Sequence, residues 1–231
     1  MSGEAAHHLG RVLRAEAGQL YELSDGSSAW LARIEAVARE RIEFALLEQL
    51  PAPQNALEAT LLLAIVKFEA FEWALEKATE LGVARIVPLA AARSEKALVS
   101  AAGKRAERWR KILLESSQQS RRLSVPRLDP VAKPFEAFAA HKDEFCVMLS
   151  ERAEAPAMRA VLKQGDADRG ASAAPRAVTL AIGPEGGWTD EEVAAARGAA
   201  FREASLGQLI LRTETAVVAA LSIVNYALSG E

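Results

Sequence analysis

Residues 178–192 (VTLAIGPEGGWTDEE) constrain the fold more than any other stretch, because an apolar run passes through a glycine-rich turn straight into a helix start. Val178 to Ile182 has the length and composition of a strand buried on both faces. Gly183, Gly186 and Gly187 open backbone conformations closed to other residues and let a ligand approach the main chain. Thr189 and Glu192 have the spacing of a capping box, in which each side chain satisfies a backbone N–H of the other residue. A strand ending this way delivers its loop to the carboxyl edge of a sheet, where α/β folds bind ligands. A tight turn with a purely structural role has the same local chemistry and stays open as the alternative.

The flanking segments share this grammar. Beyond residue 55, strand and helix patterns alternate, as in a mostly parallel sheet covered by helices. Phe68, Phe71, Leu75 and Ala78 recur at helical spacing, and Gly82 can end that helix. Val83 to Val87 reads as a strand stopped by Pro88. Trp109, Ile112, Leu113 and Ser116 mark one face of a second helix, and Phe145 to Leu149 forms another apolar strand. Gln164 to Pro175, rich in small and polar residues, is predicted to be a loop.

The first fifty residues follow a different pattern. Gln19 to Leu23, Trp30 to Ile34 and Ile42 to Leu46 are short strand candidates, with Asp25-Gly26 a hairpin turn between the first two. They predict a small β-barrel that ends in the Pro51 to Asn55 segment. The expected organisation is therefore a barrel over 1–55 and an α/β domain over 56–231.

Composition removes several function classes. The single cysteine, Cys146, cannot form an internal disulfide, and its place in an apolar strand makes it a core residue rather than a nucleophile. No metal is expected, since His7 and His8 are adjacent, His141 is remote, and no cysteine cluster exists. The glycine turn lacks the spacing of a dinucleotide fingerprint, and no phosphate loop ends in Gly-Lys-Ser/Thr. With no signal sequence and no span long enough for a bilayer, the expected location is cytoplasmic, away from membranes. The net charge of −3 does not mark a nucleic-acid binder. Locally, however, Arg93 to Arg127 holds ten basic residues against three acidic ones. That segment is either a phosphate-binding face or a solvated helix face.

A second motif, Ser205 to Ala216 (SLGQLILRTETA), again sets a glycine turn before a helix. Thr213 or Thr215 can cap it, and Glu214 suits the positive end of the helix dipole. Arg212 does not suit it, and a local electrostatic conflict of this kind often marks function. The helix beyond, Ala216 to Leu228, is apolar nearly all round, so either the domain core or a second subunit should bury it on more than one side.

These two motifs, in this order, resemble the C-terminal signature of the RsmE family of 16S rRNA (uridine-N3) methyltransferases in the SPOUT superfamily. The resemblance extends through Glu72-Trp73, Lys77 to Gly82, Arg93-Ser94, Arg108 to Lys111, Gln119-Ser120 with Pro126, and His7-His8 with Arg11 to Arg14. It implies an α/β fold: a PUA-like RNA-binding β-barrel, shortened at its start relative to the family, followed by a SPOUT domain with a deep trefoil knot, in a homodimer. It implies S-adenosyl-L-methionine as cofactor and 16S rRNA in the assembled 30S subunit as partner. The cofactor site then comprises Leu149, Ile182, Gly183, Glu185, Gly186, Leu206, Gly207, Ile210, Leu211 and Thr215. Arg212 and Arg93 are the candidates to stabilise a developing uracil anion. Arg11, Arg14, Arg108, Arg121 and Arg122 are the candidates to contact RNA. A non-catalytic RNA-binding protein, or a methyltransferase with another RNA target, are the competing readings.

Overall fold

The apolar residues Leu61 to Ile65 are completely buried, and they lie at the centre of the molecule's main sheet. The computed structural model describes residues 1–12, 14–38, 40–51, 57–141, 145–169 and 176–228. The chain divides into two compact units, Met1–Gln54 and Asn55–Glu231.

In the first unit a short helix, α1 (Glu4–His7), runs into a π-helical turn at His8–Val12. Three antiparallel strands follow: β1 (Leu20–Ser24), β2 (Ala29–Val37) and β3 (Ile42–Leu50). The turn between β1 and β2 is held by Asp25, whose carboxylate accepts the backbone N–H groups of Ser27 and Ser28. Ala6, Leu9, Ala15, Ile34 and Ile42 form a small core, with Tyr21 and Phe44 packed against it. The strands run longer than the sequence pattern alone implies, because the polar outer positions of β3 still pair with β2. Of the predicted exit segment, residues 52–55 lie outside the described residues.

In the second unit the elements are β4 (Leu57–Ala64), α2 (Phe68–Glu80), β5 (Val83–Leu89), α3 (Lys96–Gln119), β6 (Arg127–Leu128), α4 (Pro134–Ala140), β7 (Phe145–Leu149), α5 (Met158–Arg169), β8 (Arg176–Ile182), α6 (Asp190–Gly198), β9 (Arg202–Ala204) and α7 (Thr213–Leu228). The six strands form one sheet in the order β6-β5-β4-β8-β7-β9, with every pairing parallel. Alternation along β4 sends Leu61 and Leu63 to one core and Leu62 and Ala64 to the other. Phe71, Trp109, Val161 and Leu221 place α2, α3, α5 and α7 on the first face, while Phe138 and Val193 place α4 and α6 on the second.

Three expectations are corrected. The central strand β4, Leu57–Ala64, lies where the sequence pattern offered no strand. Pro88 does not stop β5, which continues to Leu89. The Pro88 carbonyl accepts from Ala132 N–H, so its ring nitrogen faces the short outer strand, where a missing donor disrupts little pairing. Finally, Gln164 to Arg169 belongs to α5 rather than a loop, and residues 170–175 lie outside the described residues.

Candidate active site

Because β8, β7 and β9 are parallel neighbours, they release their chains at the same edge of the sheet. The segments leaving Leu149, Ile182 and Ala204 wall a cavity of about 360 Å³, within the usual size range of small-molecule sites. From the sequence set, Leu149, Ile182, Gly183, Glu185, Gly186, Leu206, Gly207, Ile210 and Leu211 line this cavity, together with Arg93. Thr215 and Arg212 do not. They line an adjoining groove of about 1020 Å³ with Lys67, Glu69, Ala70, Trp73 and Glu214, and the groove shares Glu185, Ile210 and Leu211 with the cavity.

The turn after β8 is held from four directions. Gly187 N–H donates to the Pro184 carbonyl at 2.8 Å, and Gly187 adopts φ +70°, a conformation that costs other residues about 1–2 kcal/mol. Trp188 packs so closely under Gly183 that a Cβ there would lie 3.0 Å from the indole. The same indole Nε1 donates to the Leu149 carbonyl at 2.9 Å, tying the end of β7 to the turn. Thr213 Oγ1 donates to the Gly183 carbonyl at 3.1 Å. Thr213 therefore secures the turn instead of capping α7, and the Arg212 carbonyl accepts the helix's first N–H, from Ala216.

The predicted capping box is present. Glu192 N–H donates to Thr189 Oγ1, and Glu192 Oε2 accepts Thr189 N–H at 2.9 Å. The other oxygen of this buried carboxylate accepts Ala92 N–H at 2.8 Å, which brings the loop after β5 to the turn. Arg93 then donates from Nη1 to the Gly186 carbonyl at 2.7 Å. Its guanidinium thus braces the cavity wall, while that of Arg212 lines the groove, so the two arginines do not meet in one cavity.

At the cavity rim Arg152 pairs with Asp190. Beneath it, burial pushes the Glu203 carboxyl up, but hydrogen bonds from Ser150 and Arg197 and the nearby charge of Arg152 bring it below its ordinary value overall. Arg152 and Ser150 follow β7 in a stretch with no motif, so sequence offered no signal for them. Trp188 had one: it directly follows the glycine pair. Among the described residues no cluster of His, Cys, Asp or Glu is arranged to hold a metal ion.

The RNA candidates divide by their partners. Arg11 and Arg14 are exposed in the first unit, and Arg121 is exposed in the second at the end of α3. Arg108, though exposed, donates to Glu72 at 2.7 Å, and Arg105 pairs with the same carboxylate. Arg122 is half-buried and donates to the Thr79 carbonyl at 2.8 Å; burial holds its guanidinium below the usual arginine range.

The chain that builds this cavity from strand-end loops of a parallel sheet matches two family models. An RNA methyltransferase domain model matches residues 53–225 and an RNA methyltransferase PUA domain model matches residues 2–47, which defines the class as RNA methyltransferase. The chain is 35% identical over 227 residues to ribosomal RNA small subunit methyltransferase E of Synechocystis, covering 95% of this chain and 70% of the relative. The Bacillus subtilis protein of the same name is 31% identical over 237 residues, covering 98% and 89%. A crystal structure of that enzyme from Neisseria gonorrhoeae, bound to S-adenosyl methionine, superposes with a TM-score of 0.83 at 30% identity, covering 98% of this chain and 90% of that one. The chain belongs to the ribosomal RNA small subunit methyltransferase E family.

Proposed function

We propose that this protein transfers the methyl group of S-adenosyl-L-methionine to N3 of a uridine in 16S rRNA, in the cytoplasm, on the assembled 30S subunit. The observation that carries the reading is the cavity at the ends of β7, β8 and β9, in a chain closely similar to a methyltransferase bound to that cofactor. The cavity suits such a ligand: Leu149, Ile182, Leu206, Ile210 and Leu211 provide apolar wall, and the glycines at 183, 186, 187 and 207 expose main chain. Gly207, at φ +143°, holds a conformation that favours glycine. When bound, the cofactor supplies an activated methyl group. The protein's task is largely positioning, which is a major source of rate acceleration in such transfers.

Arg212 is proposed to stabilise negative charge developing on uracil, since it lines the groove beside the cavity, and among the described residues no carboxylate pairs with it. Arg93 acts through the Gly186 carbonyl as a positioning residue. Thr215, on the groove wall, belongs to the acceptor side of the site. Arg11, Arg14 and Arg121 are proposed to contact RNA phosphates, with Arg108 in a secondary role because of its Glu72 pairing. The family's trefoil knot and homodimer are part of the proposal, and Val218 of α7, an apolar residue only partly buried, suits a subunit interface.

The test is methyl transfer from labelled S-adenosyl-L-methionine to 30S subunits that lack the modification. Wild-type protein labels the 16S rRNA, and Arg212→Ala protein binds the cofactor normally but loses turnover. Cofactor binding without any transfer by the wild type would favour a non-catalytic RNA-binding role.

A further inference from the structure

We infer that the groove beside the cavity seats the acceptor uracil, with Trp73 as its stacking wall and Glu214 as the acceptor of the N3 proton; the inference rests on the function proposed above. Three observations converge. The groove and the cavity share Glu185, Ile210 and Leu211, so the two spaces adjoin and a base in one sits next to a ligand in the other. Trp73 lines the groove and is 43% exposed although it is large and apolar. Aromatic side chains that present a face to solvent are the usual platforms for an unstacked base. Glu214 lines the same groove, and its Oε2 is one of six buried side-chain polar atoms that, among the described residues, have no hydrogen-bond partner. A buried polar atom left unpaired is uncommon and calls for an explanation.

Uracil supplies what these groups lack. Its Watson–Crick edge presents an acceptor, a donor and an acceptor: O2, N3–H and O4. A carboxylate only accepts, whereas Arg and Lys only donate. Glu214, Arg212 and Lys67 line the groove together with the carboxylates of Glu69 and Glu185, so it offers both the acceptor and the donors that N3–H flanked by two carbonyls requires. Glu214 takes the N3 proton, and the electron pair left on N3 forms the bond to the methyl carbon. The carbon–sulfur bond breaks with its pair going to sulfur, which leaves a neutral thioether and a protonated Glu214 that returns its proton to solvent. Arg212 balances the charge on O2 or O4 while N3 is deprotonated. Reaching this position requires the uridine to be flipped from its stack.

The experiment compares wild type, Trp73→Ala, Trp73→Phe and Glu214→Gln for affinity to S-adenosyl-L-methionine by calorimetry, affinity for 30S subunits by filter binding, and steady-state methylation across pH. Trp73→Ala is expected to lower kcat/KM for 30S subunits about tenfold or more, with cofactor affinity unchanged and most activity restored in Trp73→Phe. Glu214→Gln is expected to lower kcat by at least about 100-fold with little change in subunit affinity. Raising the pH, which ionises N3 without the enzyme's help, should narrow that deficit; a merely structural role would not produce this pH rescue. Wild-type kcat/KM in both Trp73→Ala and Glu214→Gln would overturn the inference. A wild-type protein that binds cofactor but methylates no RNA would overturn the function on which it rests, and the inference with it.

Discussion

Glu192 Oε1 accepts the backbone N–H of Ala92 at 2.8 Å, joining the loop after β5 to the first turn of α6 across 100 residues of sequence. The same carboxylate accepts Thr189 N–H, so one buried side chain holds both the start of α6 and the loop that carries Arg93. Replacing Glu192 with Ala strands both donors. The expected loss is about 3 kcal/mol of stability by denaturant titration, together with weaker cofactor binding as the turn loosens.

Gly183→Ala tests the contact between turn and indole. The added Cβ would lie 3.0 Å from the Trp188 ring, so the ring must shift, and its bond to the Leu149 carbonyl is strained or lost. Overpacking of this kind costs about 1–3 kcal/mol. Because the displaced groups form the cavity wall, cofactor affinity measured by calorimetry should fall about tenfold or more, while the far-ultraviolet circular dichroism spectrum stays native.

Charge on α3 and just beyond it separates RNA contact from internal structure. Arg121→Glu leaves the fold intact, since its side chain is exposed, and should flatten the dependence of log Kd for RNA on log salt by about 0.7 or more. Arg122→Ala instead removes a donor to the Thr79 carbonyl and should lower the unfolding midpoint with a smaller change in salt slope. Equal salt slopes for wild type and Arg121→Glu would show that Arg121 belongs to a solvated face.

The acid limb of stability should depend on Glu203. Its carboxyl titrates below the ordinary value in the folded state, so the stabilisation is fully present above the unfolded pKa and is lost as pH falls through the folded one. Glu203→Gln is expected to be less stable at neutral pH and to show a shallower loss of Tm below about pH 4.5, in scanning calorimetry from pH 7 to 3.

Sequence periodicity revealed the elements that bury a single pattern: α2, α3, β7 and β8 lie where their apolar spacing placed them. It missed β4, because that strand alternates at Glu58 and Thr60 before becoming continuously apolar, and it follows a proline cluster that looks like a linker. It ended β5 at Pro88 because a proline's cost depends on which neighbour its nitrogen faces, a tertiary fact. The two motif turns line much of the cavity, since glycine at positive φ and capping chemistry are local, whereas the segment after β7 that completes the wall carries no motif. Side chains that act at a distance were not legible: Glu192 reaching Ala92, Trp188 reaching Leu149, and Thr213 reaching Gly183 all depend on which strands become neighbours. The split between Arg93 on the cavity and Arg212 on the groove has the same origin.

The most direct measurement maps the product. Purified protein is incubated with S-adenosyl-L-methionine and 30S subunits from cells lacking the endogenous modification, and the 16S rRNA is digested and analysed by mass spectrometry. The account predicts one new methylated nucleoside, a uridine carrying the methyl group on N3. A methyl group on a different base or atom, or none despite measured cofactor binding, would contradict it.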